Sequence, residues 1–513
     1  MPGSGSTTSV WMATATTPSG NADPQTLRPD VIVVGAGIAG VTTAYFLQRS
    51  GKKVLLLDDG APGDGETGRT TAHLANAIDD RFTEIERLHG QDGARLAAES
   101  HGAAIDTIER LAREEGIDCD FTRLDGYLMP APGQDPSEFD EEVAAAHRAG
   151  LTGVEKLDHA PGITHPGPVL RFPNQGMFHP LKYLAGLVEA FRKRGGMLST
   201  NAHVTTIGES SAKAHVRIGS GPLIEADAVV VATNSPISDR FSIHSKQAPY
   251  RTYVIGVRVD KGALPTALWW DDLDSYHYVR LQKEADHDLL IVGGEDHKTG
   301  EAADMDVRWA RLETWTREHF PMAGAVEYRW SGQVLEPFDG LAFIGRDPGW
   351  KGRVFVVTGD SGMGMTHGTL AGLMLCEMIH GHDHQWAKLY DPSRKMVRKL
   401  GTYLRENLDA ARHLVSAFTP GGVDNENWIP PGQGAVMKRF GRPVAVYRDE
   451  QGQVHRMSAI CPHMKCTVQW NPGEKTWDCP CHGSRFACDG AVLNGPATTA
   501  LARMEEKAHG DAD

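Results

Sequence analysis

Short apolar runs separated by helix-like and polar segments are the first pattern in the sequence. Residues 30–34 and 54–57 are such runs, and residues 41–49 between them have the composition of a helix. Similar runs follow at residues 228–232, 289–292 and 354–357. Strands that are apolar throughout are typical of a parallel sheet covered on both faces. The pattern therefore predicts an α/β chain whose parallel sheet is assembled from distant segments.

The segments between these runs predict a second layer over that sheet. Residues 81–179 are charged and helix-like, and residues 241–332 alternate aromatic and polar positions. We assign these two segments to a mixed-sheet cap that covers a ligand. The remaining parts of the body, at about residues 30–80, 180–240 and 333–390, are assigned to a ligand-binding unit.

The two ends of the chain differ from this body, which spans residues 30–390. Residues 1–29 are rich in Ser, Thr, Gly and Pro and predict a flexible tail with Trp11 as its anchor. Residues 391–430 predict a helix, from about 393 to 416, followed by a linker marked by Gly and Pro. From residue 431 to 513 the pattern changes to short strands and predicts a separate all-β domain.

Composition and charge exclude several classes of protein. The 513 residues are enough for about three domains. The net charge of −14 repels phosphate backbones, which argues against nucleic acid as a partner. No apolar run approaches the roughly 18 residues of a membrane span. The first 29 residues lack the basic and apolar regions of a signal peptide, so we expect a cytoplasmic location. The oligomeric state is not indicated.

A glycine-rich turn follows the first apolar run. It has the pattern GxGxxG and consists of Gly35, Ala36, Gly37, Ile38, Ala39 and Gly40. Asp58 ends the next apolar run. Glycines let a backbone approach a pyrophosphate, a helix N-terminus offers N–H donors, and a carboxylate accepts hydrogen bonds from ribose hydroxyls. The context predicts a dinucleotide site with contacts from Gly35, Gly37, Ile38, Ala39, Gly40 and Asp58. The alternative is a tight turn with a solvated Asp58.

Further motifs resemble the flavin-dependent D-amino acid oxidase (DAO) superfamily over roughly residues 30–390. Residues 65–73 read GETGRTTAH, where that family has a flavin-contacting loop, and residues 358–366 read TGDSGMGMT, which matches its second FAD motif. The resemblance implies a Rossmann-type FAD domain with a substrate-covering cap. It also implies FAD contacts from Thr67, Gly68, Arg69, Thr70, Thr71, His73, Val204, Ala232, Thr233, Gly359, Asp360, Gly362, Met363 and Gly364. Some relatives attach FAD through His or Cys, but Arg69 stands at that position, so we expect non-covalent FAD.

Cysteines and histidines cluster near the C-terminus. Cys461 and His463 form C-x-H, and Cys479 and His482 form C-x2-H. Two thiolates and two imidazoles are the ligands of a Rieske cluster. Zinc is the alternative, although zinc sites usually place paired Cys before paired His.

The surrounding residues resemble Rieske domains, with Gly483-Ser484, Asp489-Gly490 and a closing Gly-Pro-Ala at 495–497. The resemblance implies metal ligation by Cys461, His463, Cys479 and His482. It also implies a disulfide between Cys466 and Cys481, and a [2Fe-2S] cluster as the second cofactor.

Together the motifs resemble bacterial FAD oxidoreductases with a C-terminal Rieske domain. The resemblance implies oxidation of an amine or amino acid at the C–H next to nitrogen. A flavin takes two electrons, whereas the cluster holds one at a time. Electrons would then pass singly to an acceptor protein or quinone. Two alternatives are an oxidase in which oxygen reoxidises the flavin, and an electron-transfer protein without a small organic substrate.

The covering layer in this family supplies an arginine and tyrosines around the substrate. The resemblance implies substrate contacts from Arg251, Tyr253, Tyr276, Tyr278, Arg280 and Trp330. The alternative is that these side chains are structural or solvated. Hydride abstraction from a neutral amine requires positioning more than a dedicated base, so no catalytic residue is assigned.

Overall fold

The fold is known from a computed structural model that describes residues 4–131, 133–165, 167–238, 243–273, 275–395, 425–439 and 441–504. The helix expected from about 393 to 416 lies almost wholly outside the described residues. Its first residues, 393–395, are not helical.

A six-stranded sheet forms the base of the molecule. Its strands are β1 (Val31–Val34), β2 (Val54–Leu57), β7 (Met197–Ser199), β11 (Ala228–Val231), β17 (Phe343–Arg346) and β18 (Val354–Thr358). Their order is β17-β18-β11-β1-β2-β7, with all neighbours parallel except β17 and β18. The predicted parallel sheet from distant segments is therefore confirmed.

The strands of this sheet are apolar throughout because both faces are covered. Val31 and Val33 pack into the helical core, whereas Ile32 and Val34 pack against a small antiparallel sheet. That sheet contains β8 (Val204–Glu209), β9 (Ala214–Ile218) and β10 (Leu223–Ala226). Alternate side chains of a strand point to opposite faces, so a strand covered on both sides has no polar position.

A nine-stranded mixed sheet forms the cap, as predicted. It contains β3 (His73–Leu74), β4 (Thr122–Met129), β5 (Glu155–Leu157), β6 (Val169–Met177), β12 (Gln247–Val259), β13 (Leu268–Asp271), β14 (His277–Lys283), β15 (Asp288–Lys298) and β16 (Val326–Pro337). The run at 289–292 lies here, antiparallel to both neighbours, and the expectation that it joins the parallel sheet is wrong. Leu289 and Ile291 enter one core and Leu290 and Val292 another, which produces the same apolar pattern.

Eight helices are present in the described parts of the chain. They are α1 (Val10–Thr14), α2 (Ile38–Arg49), α3 (Arg81–Glu114), α4 (Pro136–Arg148), α5 (Pro180–Lys193), α6 (Met305–His319), α7 (Gly364–Ile379) and α8 (Ala387–Tyr390). Helices α2 and α7 cross closely because Gly372 lies against the backbone of Thr42, where a Cβ would be 3.0 Å from the Thr42 carbonyl carbon. Within the described residues, no helix combines the length and the apolar character that crossing a bilayer requires.

The N-terminal segment is not a flexible tail. Residues 4–29 are described, and Trp11 is 0% exposed. The Trp11 indole N–H donates to the carbonyl of Thr70 over 2.6 Å, and the Ser9 hydroxyl donates to the carbonyl of Gly68 over 2.5 Å. The expectation of flexibility is wrong. Composition indicates only whether the segment would fold alone, whereas here the segment is ordered because it docks on the body. The predicted anchoring by Trp11 is confirmed.

The C-terminal region is a small all-β domain, as predicted. One sheet contains β19 (Gln433–Arg439), β20 (Arg442–Arg448) and β21 (Val454–Ser458). The other contains β22 (Gln469–Asn471), β23 (Thr476–Asp478), β24 (Arg485–Ala487) and β25 (Val492–Asn494). Its own core includes Trp477, Phe486 and the four cysteines 461, 466, 479 and 481.

Candidate functional site

A cavity of about 790 Å³ lies between the six-stranded sheet and the cap. Most of the predicted cofactor contacts line it: Gly35, Gly37, Ile38, Ala39, Asp58, Thr67, Thr70, Thr71, His73, Val204, Ala232, Thr233, Gly359, Asp360, Gly362, Met363 and Gly364. The structure therefore brings together segments that lie far apart in the sequence. The cavity runs from the glycine turn, which we call the nucleotide end, to the cap. We call the part of the cavity lined by the cap residues Thr252, Trp270, Tyr276 and Tyr278 the sheet end.

At the nucleotide end, the turn before α2 needs its glycines. Gly35 has φ +103°, a conformation that side chains rarely adopt. A Cβ on Gly37 would lie 3.0 Å from the Thr67 hydroxyl, and one on Gly40 would collide with the Gly35 carbonyl. Gly40 does not line the cavity, so its predicted cofactor contact is corrected to a packing role. Gly37 provides no side-chain cap, and although the Ile38 N–H donates to the Thr67 hydroxyl (3.0 Å), the N-terminus of α2 fits the pyrophosphate of FAD.

Asp58 fixes this turn. Its carboxylate accepts hydrogen bonds from the backbone N–H of Ala36 (2.5 Å) and of Gly60 (2.8 Å). Burial, with repulsion from Asp59, raises the pKa of Asp58 to about 7. A buried carboxylate with so little compensation accommodates further donors such as ribose hydroxyls, so these residues fit the predicted role.

The second glycine-rich segment carries the chain from β18 into α7. Gly359 and Gly362 have φ +71° and +67°, and Ser361 has φ +45°. Asp360 accepts a hydrogen bond from the backbone N–H of Leu335 (3.2 Å), and burial raises the pKa of Asp360 to about 6. This left-handed backbone lets the loop turn sharply beside the cavity and present the start of α7 to it.

Two predicted cofactor contacts lie elsewhere. Gly68 packs on the N-terminal segment, where a Cβ would be 2.8 Å from the Met12 methyl group. Arg69 is 2% exposed and donates to the Thr7 hydroxyl (2.8 Å), to the Ser331 carbonyl (2.9 Å) and to Glu474 (3.2 Å). Neither lines the cavity. The 3-10 turn Glu66–Arg69 directs Arg69 away from the cavity, so the predicted contacts are corrected.

Of the six predicted substrate contacts, Tyr276 and Tyr278 line the cavity, together with Thr252. The Tyr278 and Thr252 hydroxyls lie 2.6 Å apart. The two tyrosine side chains are therefore placed to contact a ligand at the sheet end.

The other four predicted substrate contacts do not line the cavity, and that prediction is corrected. Arg251 faces Asp478 (3.9 Å) and Glu474. The Tyr253 hydroxyl bonds His297 (2.8 Å), and Arg280 donates to the carbonyls of Ala72 and Phe178. The Trp330 indole N–H donates to the carbonyl of Arg69 (2.8 Å). All four lie on cap strands. Arg251 and Tyr253 flank the cavity-lining Thr252 on β12 and point to the opposite face, whereas Arg280 and Trp330 are directed to backbone carbonyls of the body.

Sequence reasoning missed several residues that line the cavity. Among these are Asp79, Trp270 and His367, together with residues 492–495 of the C-terminal domain and Ser4 of the N-terminal segment. Asp79 carries a signal that could have found it, since an acidic pair directly follows the apolar run 74–78. No local signal marks the contribution of the C-terminal domain, because it depends on how the two domains dock.

The predicted cluster ligands converge in the C-terminal domain. Cys461 and Cys479 are free and buried, and the imidazoles of His463 and His482 have ring centroids 5.1 Å apart. Among the described residues, the buried Nδ1 of His482 has no hydrogen-bond partner. A hydrogen bond with Cys479 lowers the pKa of the Cys461 thiol. A readily ionised thiol and an unpaired imidazole nitrogen suit a [2Fe-2S] cluster, so these residues fit the group.

The predicted disulfide between Cys466 and Cys481 is present, with the two Cα atoms 6.5 Å apart. The sulfur atoms of Cys466, Cys479 and Cys481 lie within 4.8 Å of one another. Because two of them form the disulfide, this group is not a three-thiolate metal site. It shows instead that the disulfide lies directly beside a cluster ligand.

One side chain joins the cavity to the cluster loops. Gln333 lines the cavity, and its Nε2 donates to the carbonyl of Gly483 over 3.1 Å. Gly483 follows the ligand His482 in the sequence. A Cβ on Gly483 would lie 2.8 Å from Gln333 Nε2 and 2.8 Å from Pro249 Cβ. The two domains are therefore in close contact directly beside the cluster ligand His482.

A histidine of the FAD-binding body also reaches the cluster ligands. The ring of His244 lies 5.1 Å from that of His463 and 5.5 Å from that of His482, measured between centroids. The histidine side of the cluster site therefore faces the body of the same chain.

Buried ion pairs hold the two domains together. Glu474 is paired with Arg69 (3.2 Å) and lies 4.0 Å from Arg251, and Asp478 lies 3.9 Å from Arg251. Burial alone would raise the pKa of Glu474 and of Asp478, but the arginines outweigh it and lower both. Moving the domains apart would leave these buried charges unpaired, which is costly in free energy. The domains are therefore held in one fixed arrangement.

Comparisons with known proteins agree with this architecture. The family described as FAD dependent oxidoreductase (DAO) matches residues 30–378, and the Rieske [2Fe-2S] domain matches residues 422–505. YhfW of Bacillus subtilis (strain 168), described as a Rieske 2Fe-2S iron-sulfur protein, is 29% identical over 96% of this chain and 97% of its own length.

Two further similarities cover the FAD-binding part. Gamma-glutamylputrescine oxidoreductase of Escherichia coli (strain K12) is 27% identical over 70% of this chain and 85% of its own length. The crystal structure of glycine oxidase from Geobacillus kaustophilus superimposes with a TM-score of 0.60, at 18% identity, over 72% of this chain and 99% of that one. The structural likeness shows the fold alone.

Proposed function

Because the chain belongs to the FAD dependent oxidoreductase family and carries a Rieske [2Fe-2S] domain, we propose that it oxidises an amine or amino acid at the C–H bond next to nitrogen. In this proposal the electrons leave one at a time through the cluster, to an acceptor protein or quinone. FAD supplies a two-electron acceptor, and the cluster carries single electrons.

The observation that carries this proposal is the contact between Gln333 and Gly483. A single side chain spans from the cavity lining to the residue next to a cluster ligand. A flavin site and a cluster that belonged to separate reactions would not need such close packing. The contact supports transfer of electrons within one chain.

The cavity itself opposes the electron-transfer alternative. A protein that relays electrons only between partner proteins does not need a binding space that extends past the glycine-rich turns to the cap. Here Thr252, Trp270, Tyr276 and Tyr278 line such a space. These side chains would position a small organic donor and exclude water from it.

The test is an anaerobic addition of amines to the full-length protein that holds both cofactors. Flavin absorbance and the electron paramagnetic resonance signal of the reduced cluster are followed in the same sample. We expect both to change in the same turnover. A cluster that stays oxidised while the flavin is reduced would contradict the route, and rapid flavin reoxidation by oxygen would then favour the oxidase alternative.

Two glycine-to-alanine variants, one at the domain contact and one as its control, test electron transfer from the flavin to the cluster within this chain. Gly483→Ala adds a methyl group that must separate the domains beside Gln333 and Pro249. Gly452→Ala carries similar backbone strain, with φ +84°, but its Cβ meets no atom within 4 Å. We expect cluster reduction to slow at least tenfold in the first variant and not in the second, with flavin reduction and iron content unchanged in both.

A further inference from the structure

The sheet end of the cavity is surrounded by carboxylates. Asp79 lines it, and the space that a Cβ on Gly362 would occupy lies beside both the Asp79 carboxylate and the Tyr276 hydroxyl, 3.6 Å from the latter. Asp296 and Glu336 lie behind this surface, and each is within electrostatic reach of Asp79. We call Asp79, Asp296 and Glu336 the acidic group.

The acidic group is poorly compensated. Desolvation by the surrounding protein, with repulsion from Asp80 and Asp296, raises the pKa of Asp79 to about 7. Desolvation raises the pKa of Asp296 to about 7, and desolvation with repulsion from Asp80 and Asp79 raises that of Glu336 well above its usual value. The Ser361 hydroxyl donates to Glu336 over 2.9 Å. Electrostatics of this kind are unfavourable unless a cation binds.

The clearest sign that a cationic partner is missing is an unsatisfied carboxylate oxygen of Asp296. Its Oδ1 atom is buried and makes no hydrogen bond to any of the described residues. Thr252, which lines the cavity, shares a hydrogen bond with Asp296. The cation Arg308 and the imidazole of His277 face Asp296, but Arg308 is engaged by Asp304 (2.9 Å) and by the Glu295 carbonyl (2.8 Å).

The described lining of the cavity offers no arginine or lysine as a counter-charge. The arginines expected there are engaged elsewhere: Arg251 faces Glu474 and Asp478, and Arg280 donates to the carbonyls of Ala72 and Phe178. A substrate carboxylate at the sheet end would therefore meet carboxylates without a matching positive charge.

Aromatic rings complete the surroundings. Trp270, Tyr276 and Tyr278 line the same end, and the ring centroids of the two tyrosines lie 5.2 Å apart. The faces of aromatic rings carry negative potential and attract organic cations. Carboxylates and aromatic faces thus favour the same class of ligand.

We infer that the sheet end of the cavity binds the substrate as an organic ammonium ion, and that the carbon to be oxidised carries no carboxylate. This inference rests on the proposed function and names its substrate class. It selects amines over α-amino acids. An α-amino acid would place its carboxylate within the acidic group, where repulsion opposes binding.

The test measures binding of ligands that cannot react. The tert-butylammonium ion has no C–H bond next to nitrogen, pivalate has a similar shape with a negative charge, and tert-butanol is neutral. Each is titrated into the full-length protein holding both cofactors, at constant ionic strength and pH 8, and followed by the flavin absorbance spectrum. We expect tert-butylammonium to bind at least tenfold more tightly than pivalate, with tert-butanol between them.

Two variants locate the effect. Asp79→Asn should weaken tert-butylammonium binding at least tenfold, whereas Asp92→Asn, an equal change at an exposed position on α3, should not. If the Asp79→Asn variant does not retain FAD, the Glu336→Gln variant is measured instead, and we expect the same loss of affinity for tert-butylammonium. Equal or tighter binding of pivalate, or unchanged affinity in the acidic-group variant, would overturn the inference. Neither result depends on cluster reduction, so failure of the electron route is detected separately.

Discussion

Groups of carboxylates occupy two regions of this molecule, and the regions differ in burial and in what surrounds the carboxylates. At the junction between the domains, Glu474 and Asp478 face arginines, which hold their pKa values below the usual range although burial opposes this. At the sheet end of the cavity, Asp79 lies within electrostatic reach of Asp296 and of Glu336, and the pKa values of all three rise. In the first region the arginines outweigh the effect of burial, whereas in the second Arg308 and His277 face Asp296 without outweighing it.

The difference separates charges that hold the structure from charges suited to a ligand. Removing one member of a buried ion pair destabilises the fold, because the remaining charge is left buried without a partner. A group of unpaired acids instead lowers stability until a cation arrives, and such costs are typical of binding sites. The same residue type therefore serves two purposes, and the neighbours decide which.

Removal of Glu474 should have the largest effect. Glu474→Ala leaves Arg69 and Arg251 buried without their carboxylate and also frees the Thr7 hydrogen bond. We expect a loss of about 3–5 kcal/mol in the free energy of unfolding. Thermal or denaturant unfolding of the full chain measures it, with Glu225→Gln on the exposed edge of β10 as the control. A loss similar to the control would show that the junction does not hold the domains.

Neutralising Asp79 should act in the opposite direction. Since its pKa is raised from 3.8 to about 7, the ionised form is disfavoured in the folded protein, and stability falls as pH rises from about 4 to about 7. Asp79→Asn should remove that loss. Because Asp79 faces the cavity, where water screens it, we expect a gain on the order of 1 kcal/mol at pH 8.

The check is the melting temperature of wild type and Asp79→Asn across this pH range. The two curves should agree near pH 4 and separate by about 1 °C at pH 8, with the variant the more stable. A variant that is less stable at pH 8 would show that Asp79 is compensated by the protein itself.

An exposed ion pair should have the smallest effect. Glu189 pairs with Arg192 over 2.8 Å on the surface of α5, where half of the Glu189 side chain is accessible. Glu189→Gln should change the free energy of unfolding by less than about 0.5 kcal/mol, and added salt should reduce the effect further. A change as large as that of Glu474→Ala would mean that burial and pairing do not account for the contrast.

Local chemistry was readable from the sequence wherever it is carried by neighbours in the chain. The turn at Gly35 and Gly37 needs backbone freedom at fixed spacing, and the cluster ligands need a thiol and an imidazole within one short loop. The disulfide between Cys466 and Cys481 was likewise predicted from the motif that surrounds it.

Predictions failed where they depended on the direction of a side chain or on the docking of a segment. Arg251 and Arg69 were expected at the ligands, but both point into the junction between the domains. Trp11 anchors a segment whose composition predicts flexibility. The run at 289–292 is buried on both faces in the cap, which a single apolar pattern does not distinguish from the parallel sheet.

The sequence by itself thus determined which cofactors the chain can hold, because each motif places the necessary atoms within a few residues of one another. Only the tertiary structure decided which charges meet. Asp79, Asp296 and Glu336 come from three distant segments, as do Arg69 and Glu474, and only folding brings them within electrostatic range. Pairing of distant charges depends on packing between elements, and no local pattern records it.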